Sequence, residues 1–276
     1  MEDSKKVFFT GTLVIVVVAV VVVVYYFFIR ENPEEVLPIQ EVVQEEPVQV
    51  PEEEPVIEEE VPEPVHVELD KSDEFLRDLA KELSSHKRYA VWLKRKDLIR
   101  RFAAAVDNIA NGMSPRPQID FFMPKGDFKV VMKDDLYFVD PGGYSRYNLA
   151  TNVFASLDSE GCAKLYWQMK PLVQEAYRDL GYPGKDFDIT LRAAIVELLK
   201  VPIIKGEVQL EKKVISYAIV DPVLESLSEA QKHILRMGPN NVHKIQGKLR
   251  ELGAALGIPG NKFPRSRSYS PKNRSF

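Results

Sequence analysis

The 276-residue sequence predicts a mainly α chain of the α+β class: a single-pass transmembrane helix, a disordered Glu/Pro-rich linker, and a helical globular domain with one or two small β-hairpins. Three observations carry this expectation. Residues 7–29 hold no charge. Residues 31–66 hold thirteen Glu and seven Pro but no Lys or Arg. From residue 72 onward apolar residues recur at helical spacing, interrupted by short alternating runs. The predicted order is a cytoplasmic tail 1–6, a transmembrane helix 7–29, a linker 30–66, a helical domain 67–257 and a disordered basic tail 258–276. The formal charge of −4 conceals +1 in residues 1–30, −13 in residues 31–66 and +8 in residues 67–276. A lone cysteine, Cys162, excludes an intrachain disulfide framework and any multi-cysteine zinc site.

Val7 to Ile29 is 23 residues long. As a helix at ~1.5 Å per residue it reaches about 35 Å, enough for a hydrocarbon core of ~30 Å with some tilt. Val14 to Val24 is nine Val with Ile15 and Ala19. Valine favours strands in water, but in lipid a lone strand leaves every backbone N–H and C=O unpaired, and only a helix pairs them locally. Tyr25, Tyr26, Phe8 and Phe9 stand at the ends, where aromatic rings favour the interface. A cleaved signal peptide would have a shorter apolar core ending at small residues, whereas this run ends in Tyr25-Tyr26-Phe27-Phe28-Ile29. Lys5 and Lys6 precede the span and Glu follows it. The Lys/Arg bias therefore predicts an amino terminus in the cytoplasm and residues 31–276 outside.

In residues 31–66, proline blocks helix and central strand and the glutamates repel, so no core offsets the entropy of ordering. At ~3.1 Å per residue the fully extended spacer reaches roughly 110 Å. Two readings stand for it: a passive tether, or an acidic arm that docks on a basic surface of the same chain.

The domain begins at Ser72-Asp73-Glu74, a capping residue followed by acids. Phe75, Leu76, Leu79, Ala80 and Leu83 continue at helical spacing. A second helix presents Leu98, Phe102, Ala105, Val106 and Ile109 and stops at Gly112. Asp127–Asp140 reads as a hairpin turning at Lys133-Asp134-Asp135. Helices are then expected over Tyr144–Ser156, from Asp158 to Leu180 with a kink or break near Pro171, and over Asp188–Lys200. Val208–Leu210 and Val214–Val220 read as strands around Glu211-Lys212-Lys213. Asp221-Pro222 opens a short helix, Ser228 caps Glu229–Met237, and Pro239 sits in the first turn of a last helix ending near Leu256.

Four segments resemble a bacterial family catalogued as domain of unknown function number 3014: Phe138-Val139-Asp140-Pro141-Gly142-Gly143-Tyr144-Ser145-Arg146-Tyr147, Lys170-Pro171-Leu172 to Ala176-Tyr177, Leu180-Gly181-Tyr182-Pro183, and Leu235-Arg236-Met237-Gly238-Pro239-Asn240. Val106-Asp107-Asn108 and Ala218 to Glu225 fit it too, so the likeness covers roughly Leu69 to Leu256. Phe187-Asp188-Ile189-Thr190-Leu191 departs from an Asn-Asp-Arg-like string in that family. The resemblance implies a bacterial envelope setting with one amino-terminal span and a Pro-rich spacer. It brings no activity, cofactor or catalytic residue.

The sequence contains no HExxH, GxSxG, GxxxxGK[ST] or GxGxxG pattern. The histidines 66, 86, 233 and 243 are scattered, so no metal site and no cofactor is expected. Asp107, Asp140 and Asp221 are expected as structural clamps, Asp107 near a helix end with an Arg as partner. Arg146, Tyr147, Arg236, Asn240 and Asn241 are the candidate binding residues, because Arg236 precedes a helix start whose free N–H groups favour an anion or a partner's carboxylate. An internal clamp is the alternative for the same five. The tail carries Lys262, Arg265, Arg267, Lys272 and Arg274 without an acid. That suits solubility, contact with the acidic linker, or attraction to an anionic envelope polymer or lipid surface. Nucleic acid would need the opposite topology.

The expected function is a non-enzymatic module: a single-pass inner-membrane protein, held in the lipid bilayer by residues 7–29, presenting a periplasmic binding or scaffolding domain to an envelope protein or polymer. A purely structural tether is a variant of it. The alternative is an envelope hydrolase or transferase, which requires carboxylates such as Asp107, Asp140 and Asp221 to converge in a cleft.

Overall fold

Helix α1 (Ser72–Ala80) follows a 3-10 turn at Leu69–Lys71. For that reason Ser72 does not cap it: the Ser72 hydroxyl turns back to donate to the Leu69 carbonyl at 2.7 Å. A computed structural model describes residues 67–120, 124 and 126–274, and the expected cytoplasmic tail, span and whole spacer (1–66) lie outside those residues. Short helix α2 (Lys87–Trp92), which the sequence pattern did not announce, leads to α3 (Leu98–Ala110).

Strands β1 (Val130–Lys133) and β2 (Leu136–Val139) form the expected hairpin, with Val130 opposite Val139. Asp134 and Asp135 both take positive φ, 47° and 63°, as a two-residue turn matched to strand twist demands. The run expected as one helix from Tyr144 is instead a 3-10 segment, Pro141–Tyr147, joined to α4 (Asn148–Ala155). The Asp140 carboxylate opens it by accepting from the Gly142 amide at 2.8 Å. Helix α5 (Ser159–Asp179) runs through Pro171 without the expected break. Pro171 is exposed, so water can take the carbonyl that its missing N–H leaves free. Helix α6 (Phe187–Leu199) starts at Asp186, whose side chain accepts from the Asp188 amide.

Strands β3 (Ile203–Ile204), β4 (Gln209–Lys212) and β5 (Tyr217–Ile219) precede α7 (Pro222–Glu225), α8 (Glu229–Leu235) and α9 (Pro239–Ala255); β6 (Ser268–Tyr269) is last. The two hairpins fuse into one four-stranded antiparallel sheet, β1-β2-β4-β5, with Tyr137 opposite Leu210. The domain is thus helical with a small antiparallel sheet. Ser228 and Gln231 close a reciprocal capping box at α8.

The core is built in three parts. Helices α1, α3, α5 and α6 bury Ile99, Met169, Tyr177 and Phe187; α6, α8 and α9 bury Leu199, Ala230 and Ile245; the strands with α7 and α9 bury Val201, Leu224 and Val242. Tyr177 stacks on Tyr182 at 4.7 Å and meets Phe187 edge-on at 5.3 Å, geometries that add to the area they bury. Gln246 on α9 is buried and donates its amide to the carbonyls of Leu198, Leu199 and Val201, at and just beyond the end of α6.

The tail 258–276 is the main correction. Residues 258–274 lie on the domain as a strap. Phe263 fills the space over Gly253, where an added Cβ would stand 2.7 Å from its ring. Ser268–Tyr269 pairs in parallel with Ile203–Ile204. Asp221, 1% exposed, accepts from the Val223 and Leu224 amides, the Tyr269 hydroxyl at 2.9 Å and the Lys272 amide at 2.7 Å. Charge composition suggested disorder, but Ile258, Phe263 and Tyr269 anchor the segment, and its backbone donors find a buried carboxylate.

Burial pushes the Asp221 carboxyl up, and the amides of Lys272 and Leu224, the Tyr269 hydroxyl and the Val223 amide outweigh it, holding the group below its ordinary value. A depressed folded value stabilises the fold above about pH 3.9 and is lost as pH falls below it. Asp221→Ala is expected to cost about 3–5 kcal/mol in a denaturant titration and to abolish slow amide exchange at Lys272. An unchanged midpoint would contradict the clamp.

Candidate functional site

A cavity of about 1250 Å³ is lined by residues of α3, α4, α5, α6, α8, α9 and the sheet. Its wall is mostly apolar, with Phe154, Leu191, Ile195, Leu198, Ile234 and Leu249 among the lining residues. A sealed void of that size would cost on the order of 30 kcal/mol at ~24 cal/mol per Å³, more than the ~5–15 kcal/mol that keeps a domain folded. The space is therefore open to solvent or filled. Thr151, 0% exposed, also lines it, and its hydroxyl has no hydrogen-bond partner among the described residues.

The wall is positioned by one close contact. Gly238, at φ 84°, lies against the Tyr144 ring, and a Cβ there would stand 2.4 Å from it. Asn241, 4% exposed, ties the same junction by donating to the carbonyls of Tyr144 (3.2 Å) and Met237 (2.8 Å) and to the Asn148 side chain (3.1 Å). The segments 138–147 and 235–240, far apart in sequence, thus meet at the cavity.

The five candidate binding residues divide. Arg146, Tyr147 and Arg236 line the cavity. The Arg146 guanidinium donates to the Gly126 carbonyl at 3.0 Å and the Tyr147 hydroxyl at 2.7 Å, and lies 4.7 Å from the centre of the Tyr147 ring. Asn241 is a clamp, and Asn240 faces a separate cleft of about 450 Å³ beside Asn148 and His243. No common anion site gathers all five.

The three carboxylates are each engaged elsewhere. Asp107 accepts from Asn111 at 3.1 Å and from the Tyr182 hydroxyl at 3.4 Å, where an Arg was expected. Asp140 caps the 3-10 segment and Asp221 holds the strap. None lines the cavity, so these three carboxylates do not converge there. Among the described residues no three His, Cys, Asp or Glu side chains gather as metal ligands would.

Sequence reasoning missed the cationic character of the cavity. Besides Arg146 and Arg236, the lining includes Arg116, Lys212 and Lys213, against the acids Asp127 and Glu225. Glu225 already accepts from Lys232 (2.8 Å) and the Ile219 amide (2.9 Å). His233 lies in the same wall with its Nε2 2.7 Å from the Ser114 hydroxyl. Burial lowers its pKa first, the charges of Arg236 and Arg116 lower it further, and Glu229 opposes them.

A histidine with a depressed folded value is neutral at pH 7. Its contribution is complete above about pH 6.5 and is lost as pH falls below that, because the unfolded chain takes the proton more readily. His233→Asn is expected to remove this acid-side component from a stability–pH profile. A variant profile that retains the full slope would show that another group carries it.

The chain matches the family model described as Protein of unknown function (DUF3014) over residues 98–253. That stretch runs from the start of α3 almost to the end of α9 and holds nearly every residue of the cavity wall. No curated protein and no solved structure matches the chain. With more than half of its length under that model, the chain belongs to the DUF3014 family.

Proposed function

We propose that this protein is a non-enzymatic binding module, a single-pass inner-membrane protein that presents its helical domain to the periplasm on an extended spacer, with the apolar cavity as the binding site. The observation that carries the reading is the cavity: about 1250 Å³ of space lined mainly by apolar side chains, larger than the ~300–1,000 Å³ usual for small-molecule sites. Close-packed interiors leave few voids larger than a water molecule. Support for the membrane placement comes from the uncharged run 7–29 and the Lys5-Lys6 bias in the sequence. Among the described residues no helix is long and apolar enough to cross a membrane, and residues 7–29 lie outside them.

Two readouts on the full chain test this. Alkaline phosphatase fused after Phe276 is expected to be active in intact cells; an inactive fusion with an active cytoplasmic reporter would overturn the periplasmic placement. A photo-crosslinking residue at Phe154 or Ile234, both in the cavity wall, is expected to capture an adduct that the same residue at exposed Glu175 does not. Equal capture at all three positions would overturn the cavity as the site.

A further inference from the structure

We propose that the cavity takes the acyl chain of an anionic bilayer lipid, with its phosphate-bearing head held at the cationic rim formed by Arg146, Arg236, Arg116 and Lys212. This rests on the reading of the cavity as the binding site and names its ligand.

The chemistry of the lining supports the choice. An apolar wall with a hydroxyl at Thr151 offers few directional partners to a polar small molecule, whereas it suits a hydrocarbon chain, whose gain scales with buried CH₂ groups. The rim has the opposite character. Among the described residues, Arg116, Arg146, Lys212 and Arg236 make no ion pair; Lys213 is paired with Glu211 at 2.8 Å. Of the two acids in the lining, Glu225 is committed to Lys232 and lies in the field of Arg236. Arg146 has no carboxylate partner, and although its guanidinium donates to the Gly126 carbonyl and the Tyr147 hydroxyl, its charge and remaining N–H groups suit phosphate oxygens.

The source of the ligand follows from the β4–β5 turn. Val214 is 100% exposed and Ile215 96% exposed, at the tip of the hairpin, and both line the cavity with Lys212 and Lys213 directly before them. Two bare aliphatic side chains beside lysines form the arrangement that settles into an interface, apolar tip among the acyl chains and ammonium groups among anionic heads. In this proposal the tip marks the mouth of the cavity, and a lipid passes from the bilayer into it without crossing water. Soluble fatty acid would need no such tip.

The test uses the full chain in nanodiscs carrying a trace of phosphatidylglycerol, or of phosphatidylcholine, with a diazirine near the end of one acyl chain. After irradiation, labelled peptides are mapped by mass spectrometry. The phosphatidylglycerol probe is expected to label peptides from 187–199 and 239–255, about tenfold more than the phosphatidylcholine probe does. Arg146→Glu with Arg236→Glu is expected to erase that preference. Val214→Asp with Ile215→Asp, at exposed positions where folding is not disturbed, is expected to lower the cavity label several-fold. Label confined to residues 7–29, or equal cavity label from the two lipids, would overturn the proposal. A peptide adduct in cells at Phe154 with no lipid label in the cavity would overturn the lipid and leave the cavity as a binding site. No adduct by either route would remove both.

Discussion

Glycine is required at position 238 because the Tyr144 ring occupies the space where any side chain would begin, and because the backbone there turns through positive φ. This one contact lets the 3-10 segment of residues 141–147 lie against the start of α9. Arg146 and Tyr147 on one partner and Arg236 on the other are brought to the same wall as a result. Asn241 then locks the junction with three donated hydrogen bonds. The polar groups at the junction are satisfied by one another, which fixes the wall beside the cavity.

Other polar groups have the same office. Asp221 binds the strap to the α7 start, Asp107 joins α3 to Tyr182, and Gln246 closes the end of α6. Lys170 and Tyr166 both donate to Asp188, so the carboxylate in the first turn of α6 is engaged in structural contacts. These contacts tie distant parts of the chain together, although the Gln246 side-chain oxygen itself is buried without a partner among the described residues. Of the cationic residues around the cavity, Arg146 is tied to the Gly126 carbonyl and the Tyr147 hydroxyl and Lys213 pairs with Glu211, whereas Arg116, Lys212 and Arg236 make no ion pair among the described residues. Their charges meet few acids, and the lining behind them is mostly apolar.

Most helices were legible because their ends are punctuated: Asp158 and Ser228 cap as their positions suggest, and Gly181 and Pro239 stand where a helix stops or starts. Ser72 misled because a 3-10 turn ahead of it claimed its hydroxyl. Fusion of the two hairpins into one sheet was hidden, since β2 and β4 pair over only two residues from distant parts of the chain. The ordered strap was masked by charge, its few apolar anchors spread among lysines and arginines. The cavity was invisible for a deeper reason. Leu191, Ile195 and Leu198 recur on α6 as core residues do, and helical periodicity cannot distinguish a side chain facing another side chain from one facing an opening. Arg146 and Arg236 drew notice through the motifs around them, but their common wall depends on the Tyr144–Gly238 contact.

The accessibility of the cavity can be measured with the chain's single cysteine, Cys162, which lines it. Burial and then Asp158 push the thiol up to about 11, against the pull of Lys248, so reaction requires alkaline pH and a reagent that reaches an apolar space. In the folded full chain at pH 9, a small neutral methylthiolating reagent is expected to modify Cys162 far faster than its sulfonate-bearing counterpart, with the two rates converging on unfolding. If the neutral reagent also reacts only after unfolding, the interior is closed and the apolar cavity is not a site.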